Sequence, residues 1–222
     1  MDEKQFDALV KRASFLSRRQ VLGTGLLLGL ASVAGWDGAQ ARNKLALPPH
    51  SKAFGRSAGE WAAAWQHWFL THLDAATTCE LGQSGKVWFL PGLPTDATDP
   101  VLNVTCTVPT GKAIFVPILV GGDATAEECE AGVAGVLEGV GGIDALTLTV
   151  DGRTISNLGR YEVQPATFPP TVDPTGELIS VACGYALRLH PLPPGEHIIH
   201  LTVAGTPVDL TWTVVVVPRD AD

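Results

Sequence analysis

Three groups of residues have the types and spacing that chemistry could use. Gly55-Arg56-Ser57-Ala58-Gly59 fits the G-x-S-x-G elbow, in which a nucleophilic serine is held between a strand and a helix. Residues Pro48 to Phe54 contain no apolar strand to precede it. Ser57 with Glu60 three residues on is a capping-box pattern instead, so the serine is expected to cap a helix. His67 and His72, five apart, fall on different helical faces, His72 on the side of the tryptophans. With Ser57 and Glu60 they form the cluster from which a hydrolase could be assembled. His197-Ile198-Ile199-His200, with His190 nearby, invites a metal ion. In a strand, however, residues three apart point to opposite faces, so at most two of these imidazoles could meet where zinc asks for three or four ligands. No metal is expected.

No cofactor is expected either. The only methionine is Met1, which weakens any copper electron-transfer reading, and there is no phosphate loop or dinucleotide fingerprint. Asp99, Asp151, Asp173 and Asp209 all read as turn or strand-edge residues, not as a glycosidase pair.

Cys79, Cys106, Cys129 and Cys183 form an even set with no C-x-x-C spacing, which favours two disulfides over a thiolate zinc site. Three pairings are possible. The expected one joins Cys79 to Cys106, bracketing a hairpin-like region, and Cys129 to Cys183; closing each loop contributes about 3–4 kcal/mol.

Such bonds need an oxidising compartment, and the N-terminus carries a matching address. Ser17-Arg18-Arg19-Gln20-Val21-Leu22 leads into an uncharged Gly- and Leu-rich stretch ending at Ala34, a pattern similar to a twin-arginine export signal. The stretch is shorter than the ~20 residues that span a bilayer. Ala39-Gln40-Ala41 supplies a small-x-small cleavage pattern. Residues 1–41 are therefore taken as a signal peptide cleaved after Ala41, an uncleaved anchor being the alternative. The protein is expected to be periplasmic or secreted, to meet the twin-arginine export machinery through its leader, and to keep no stable membrane span after cleavage.

The chain has 222 residues and a net charge of −8; beyond residue 41, 10 basic residues face 19 acidic ones. That charge repels phosphate backbones, so nucleic acid is not an expected partner. Apolar residues make up 45%, ample for a core, while 24 Gly and 16 Pro favour short strands and turns over long helices.

The elements that must position these residues follow from periodicity. Residues 42–56 form an extended lead-in that Pro48-Pro49 keeps out of a helix. From Ser57, Trp61, Trp65, Trp68, Phe69 and His72 repeat on one helical face, a stripe expected to be buried on a sheet. Strands are expected at Lys86–Leu90, Leu102–Val108 and Ala113–Val120. A second helix opens at Thr125 and Glu128, with Cys129, Val133, Val136, Leu137 and Val140 facing inward. Asp151-Gly152 marks a tight hairpin. Further strands are expected at Arg160–Gln164, Leu178–Leu189 with a break near Gly184, His197–Ala204 and Val208–Val217. The expected fold is mainly β: an antiparallel two-layer β-sandwich with one or two short covering α-helices, a single disulfide-braced domain over residues 57–222.

Four segments carry a likeness. They are Gly59-Glu60-Trp61 opening the Trp-rich helix, Cys79-Glu80-Leu81-Gly82-Gln83-Ser84-Gly85-Lys86-Val87-Trp88-Phe89-Leu90, Cys106-Thr107-Val108-Pro109-Thr110-Gly111-Lys112-Ala113-Ile114-Phe115-Val116-Pro117, and Gly184-Tyr185 ahead of Pro193-Pro194-Gly195-Glu196-His197. Over most of residues 54–204 the chain resembles a family of exported bacterial proteins with no assigned activity. The resemblance implies a single secreted β-rich domain and no reaction, substrate or catalytic residue. Gln66-His67, between Trp65 and Trp68, departs from the more aromatic run expected there. The expected function is a non-catalytic binding module for an envelope component or glycan. It would use loops at one end of the sandwich or a partly exposed face at Trp61, Trp65, His72 and Trp88. The alternative is an exported hydrolase with its site near the Trp-rich helix.

Overall fold

The computed structural model describes residues 45–73, 79–93 and 99–218. The leader, its cleavage pattern and residues 42–44 lie outside the described residues.

Helix α1, Ala58–Thr71, starts at the capping box: the Ser57 hydroxyl accepts from Glu60 N, and Glu60 Oε2 accepts from Ser57 N at 2.6 Å. Strands β1 (Val87–Phe89), β2 (Val101–Pro109) and β3 (Ala113–Asp123) follow, then α2 (Ala126–Val140), β4 (Leu146–Val150), β5 (Arg153–Thr154), β6 (Glu162–Val172), β7 (Leu178–Leu189), β8 (Gly195–Val203) and β9 (Asp209–Val217). They form two sheets, ordered β1-β3-β7-β6 and β2-β9-β8-β4-β5.

The fold is the expected mainly β sandwich, but it is not purely antiparallel. β1 runs parallel to β3, and β2 parallel to β9 from Val101↔Asp209 to Pro109↔Val217. β2 and β3 are separated by only three residues yet belong to different sheets, so they do not form a hairpin: β2 lies beside β9, and β3 lies between β1 and the antiparallel β7.

The main core lies between the sheets, where Ile114, Val116, Leu187 and Leu189 meet Leu148, Ile199, Leu201 and Trp212, all but inaccessible to water. Adjacent glycines locate the helices. A Cβ on Gly121 would meet Val133 of α2, and one on Gly122 would meet Gln66 of α1. Neighbouring strand residues point to opposite faces, so the helices sit on opposite sides of the four-stranded sheet. α1 covers the outer face, over Val87, Phe115, Val163 and Ala186. α2 lies on the inner side and closes one end of the sandwich, with Leu137 and Val140 packed against the main core.

The disulfides are Cys79–Cys106 and Cys129–Cys183, as expected. The first does not bracket a hairpin: it ties the segment before β1 to β2 in the other sheet. The second joins α2 to β7.

The lead-in belongs to the folded unit, which reaches back at least to Leu45. Leu47 N donates to Arg188 O and His190 N to Leu45 O, extending the sheet beside β7. Arg188, 3% exposed, donates from its guanidinium to the carbonyls of Ser51, Pro48 and Pro49. Burial lowers its pKa, but arginine's ordinary value is high enough that it stays charged.

Candidate functional site

α1 turns its indoles inward. Trp61, Trp65 and Trp68 are all buried, and each N–H finds a backbone carbonyl: Trp61 at Ala53 O (2.8 Å), Trp65 at Leu90 O (2.7 Å) and Trp68 at Leu81 O (2.9 Å). Trp65 stacks on Phe69 with centroids 5.1 Å apart, and Phe89 sits between Trp68 and Phe115. Trp88 lies in the core between the sheets, its Nε1 buried without a hydrogen-bond partner. The expected ligand-facing surface at Trp61, Trp65 and Trp88 is therefore corrected. Burying an aromatic ring contributes about 1.5–3 kcal/mol, and the indoles of Trp61, Trp65 and Trp68 each also hold the backbone carbonyl of a neighbouring segment.

The hydrolase cluster does not assemble. Ser57 and Glu60 close the N-terminal cap, whereas His72 is the C-cap residue, 12 positions beyond Glu60 and so about 18 Å along the axis. The backbone N–H of Ser57 holds the Glu60 carboxyl below its ordinary range, helped by the Ser57 hydroxyl and by the charges of Lys52 and Arg56. His72 Nδ1 lies 2.9 Å from Trp68 O, and its ring stacks on Trp68. His67 Nδ1 lies 3.0 Å from Thr171 Oγ1 on β6, away from both.

Sequence reasoning missed two histidine–carboxylate pairs. His200 Nε2 lies 2.9 Å from Asp209 Oδ1 at the sheet surface. His197 has both ring nitrogens on acceptors, Nδ1 at 2.8 Å from Asp151 Oδ2 and Nε2 at 2.9 Å from Pro193 O. Only an imidazolium donates from both, so the geometry asks for the charged ring. Burial pushes the His197 pKa down, but the Asp151 hydrogen bond and charge and the Pro193 carbonyl outweigh it, and the net shift is upward. For Asp151 burial acts upward, yet hydrogen bonds from His197 and Ile198 N, with the charges of His197 and Arg153, bring its pKa down. The available signal was the Asp151-Gly152 turn itself, which ends β4 opposite the start of β8. Among the described residues, no three His, Cys, Asp or Glu side chains converge on one point, and no helix is long and apolar enough to cross a membrane.

Two hollows accompany the helices. One of about 240 Å³ lies between α2 and the β6–β7 edge, lined by Val133, Leu137, Glu130, Glu162 and Tyr185. Burial and the Glu162 charge raise the Tyr185 pKa, so its phenol stays neutral. The β7 backbone turns at Gly184, φ +114°, where a Cβ would stand 2.2 Å from Leu119 O. The other hollow, about 70 Å³, lies between α1 and the end of β3 and includes Gln66 and Asp173.

Comparisons with protein-family models, curated proteins and solved structures find no match. The two closed disulfides suggest an oxidising, exported location.

Proposed function

We propose that this protein is an exported, non-catalytic binding module for a component of the bacterial envelope, a glycan foremost. Its leader is a twin-arginine signal, cleavage after Ala41 releases the mature chain, and that chain works in the periplasm or outside the cell. The observation that carries this reading is the pair of disulfides, one crossing between layers and one fixing α2 to β7. Bracing of this kind suits proteins that leave the reducing cytosol, and a rigid frame holds clefts and loops ready for a ligand. Binding is favoured over hydrolysis because Ser57 and Glu60 are closed on each other in the helix cap, while His67 and His72 are engaged elsewhere, at Thr171 and at the Trp68 carbonyl.

The test has two parts. Protein expressed with its leader is fractionated and weighed: the expected species begins at Arg42, lies outside the cytosol and shows no alkylatable thiol, whereas a cytosolic full-length chain overturns export. The oxidised mature protein is then screened against envelope glycans. Saturable binding without turnover is expected, and release of a cleaved product overturns the non-catalytic reading.

A further inference from the structure

The larger hollow, about 240 Å³ between α2 and the β6–β7 edge, gathers oxygen-bearing side chains from three elements around apolar walls. Glu130, Val133, Ala134 and Leu137 follow one another at i, i+3, i+4 and i+7, so one stripe of α2 faces the hollow with a carboxylate at its N-terminal end. Opposite, Glu162 on the edge strand β6 is the cross-strand partner of Tyr185 on β7, which puts both side chains on the same face of the sheet. Among the described residues, neither carboxylate nor the phenol makes a hydrogen bond or an ion pair. α2 adds to the negative field, with four glutamates and no basic residue along its length. The Cys129–Cys183 bond ties α2 to β7, so the spacing of the two walls is set before any ligand arrives.

We propose that this hollow binds an alkylammonium group, with Glu130, Glu162 and the Tyr185 oxygen accepting its three N–H donors and Val133 and Leu137 taking its carbon chain. The inference goes beyond the envelope-binding reading and does not depend on it. Charge, donor count and size select the group. Two unpaired carboxylates facing one space repel each other and any anion, and a cation between them removes that repulsion. A guanidinium presents its donors as a planar fork suited to a single carboxylate, and a quaternary ammonium has no N–H and asks for aromatic faces. An ammonium carries three donors, one for each oxygen-bearing side chain. A divalent metal ion would gain nothing from Val133 and Leu137, and among the described residues no three His, Cys, Asp or Glu side chains converge to hold one. A cavity of about 150 Å³ takes a benzene ring, so this larger one has room for an ammonium on about four to six carbons. A lysine side chain and a free diamine share this chemistry.

The test follows the tyrosine rings by ¹³C-resolved NMR on the oxidised mature protein. The chain has two tyrosines, Tyr161 and Tyr185, and Tyr185→Phe assigns their signals. Nα-acetyl-lysine amide is expected to shift the Tyr185 signal saturably. Its Nε-acetylated form, which keeps the chain and loses the charge, should shift nothing, and Nα-acetyl-arginine amide should bind at least about fivefold more weakly. Glu130→Gln and Glu162→Gln, at exposed positions with no side-chain partner to lose, should each weaken the lysine probe about tenfold while melting like the parent. Pentane-1,5-diamine and an end-blocked Gly-Gly-Lys-Gly-Gly peptide separate the sources: tighter binding of the diamine keeps the assignment and makes the ligand a free amine, tighter binding of the peptide keeps it and makes the ligand a protein chain. An equal response to the Nε-acetylated probe, arginine bound as tightly as lysine, or undiminished binding by both glutamine variants overturns the proposal. So does a Tyr185 signal that calcium chloride moves and the amines do not. Should the variants fail to fold, the comparison of free and acetylated lysine on the parent protein still decides. If no amine moves the Tyr185 signal, the ammonium site falls, and the glycan screen judges the binding module separately.

Discussion

α1 and α2 begin alike and are held in place by different means. Each opens on a hydroxyl that accepts the N–H of a glutamate three residues on, Ser57 from Glu60 and Thr125 from Glu128, and they run to 14 and 15 residues. α1 buries eight of its residues, whereas α2 buries only Cys129 and Val133. α1 is fixed by aromatic volume and three indole hydrogen bonds. α2, thinned by Gly132, Gly135 and Gly139, is fixed by the bond from Cys129 to Cys183. Where side chains are too small to fill the contact, a covalent link takes their place, and the larger hollow remains beside that helix.

The comparison can be broken from the α1 side first. Trp65→Ala removes a ring stacked on Phe69 and Phe115 and leaves the Leu90 carbonyl without its donor. A loss of about 4–6 kcal/mol in urea denaturation is expected. Opening the α2 tether with the pair Cys129→Ala and Cys183→Ala should cost about 4 kcal/mol, because the closed segment is the longer one at a separation of 54 residues. The shorter Cys79–Cys106 link, at a separation of 27, should cost about 3.5 kcal/mol. If packing and not the tether holds α2, its double variant will melt like the parent. The caps sharpen the contrast: Ser57→Ala and Thr125→Ala should each cost about 1 kcal/mol, equally in the two helices, since this local term does not depend on what lies beneath.

The smallest effect concerns pH. The raised His197 pKa means that its contribution is complete below the ordinary histidine value and is lost as pH rises through the raised one. The lowered Asp151 pKa means that its contribution holds above the ordinary aspartate value and is lost as pH falls through the lowered one. With Asp151 44% exposed, screening keeps the pair to about 0.5–1 kcal/mol, with the greatest stability between about pH 4 and 6.5. Thermal melts across pH should show this plateau, and His197→Gln should remove its alkaline edge.

Much of the fold was legible because local patterns and tertiary environment agree. The Ser57–Glu60 and Thr125–Glu128 caps and the Asp151-Gly152 hairpin depend on neighbours in sequence, whereas the break expected near Gly184 does not occur, since β7 runs through it from Leu178 to Leu189. The parallel pairings depend on which layer each strand joins, and that is not local. A signal was nevertheless present. Ala113-Ile114-Phe115-Val116-Pro117-Ile118 is buried without a break, as a strand covered on both faces should be, whereas β2 alternates exposed and buried. That contrast separates β2 from β3 despite the short turn between them. The candidate site was less legible: the Trp stripe is visible as a pattern, but whether it faces a ligand or a loop depends on carbonyls at Ala53, Leu81 and Leu90, which no periodicity reveals.

The guanidinium of Arg188 gives the front of the chain an unusual fastening. Its partners are three peptide oxygens, which neither take up protons nor attract counterions as a carboxylate would. Changes of acidity or salinity in the surroundings therefore have no anion at this joint to neutralise, and the segment from Leu45 to Ser51 should keep its hold in dilute and concentrated media alike.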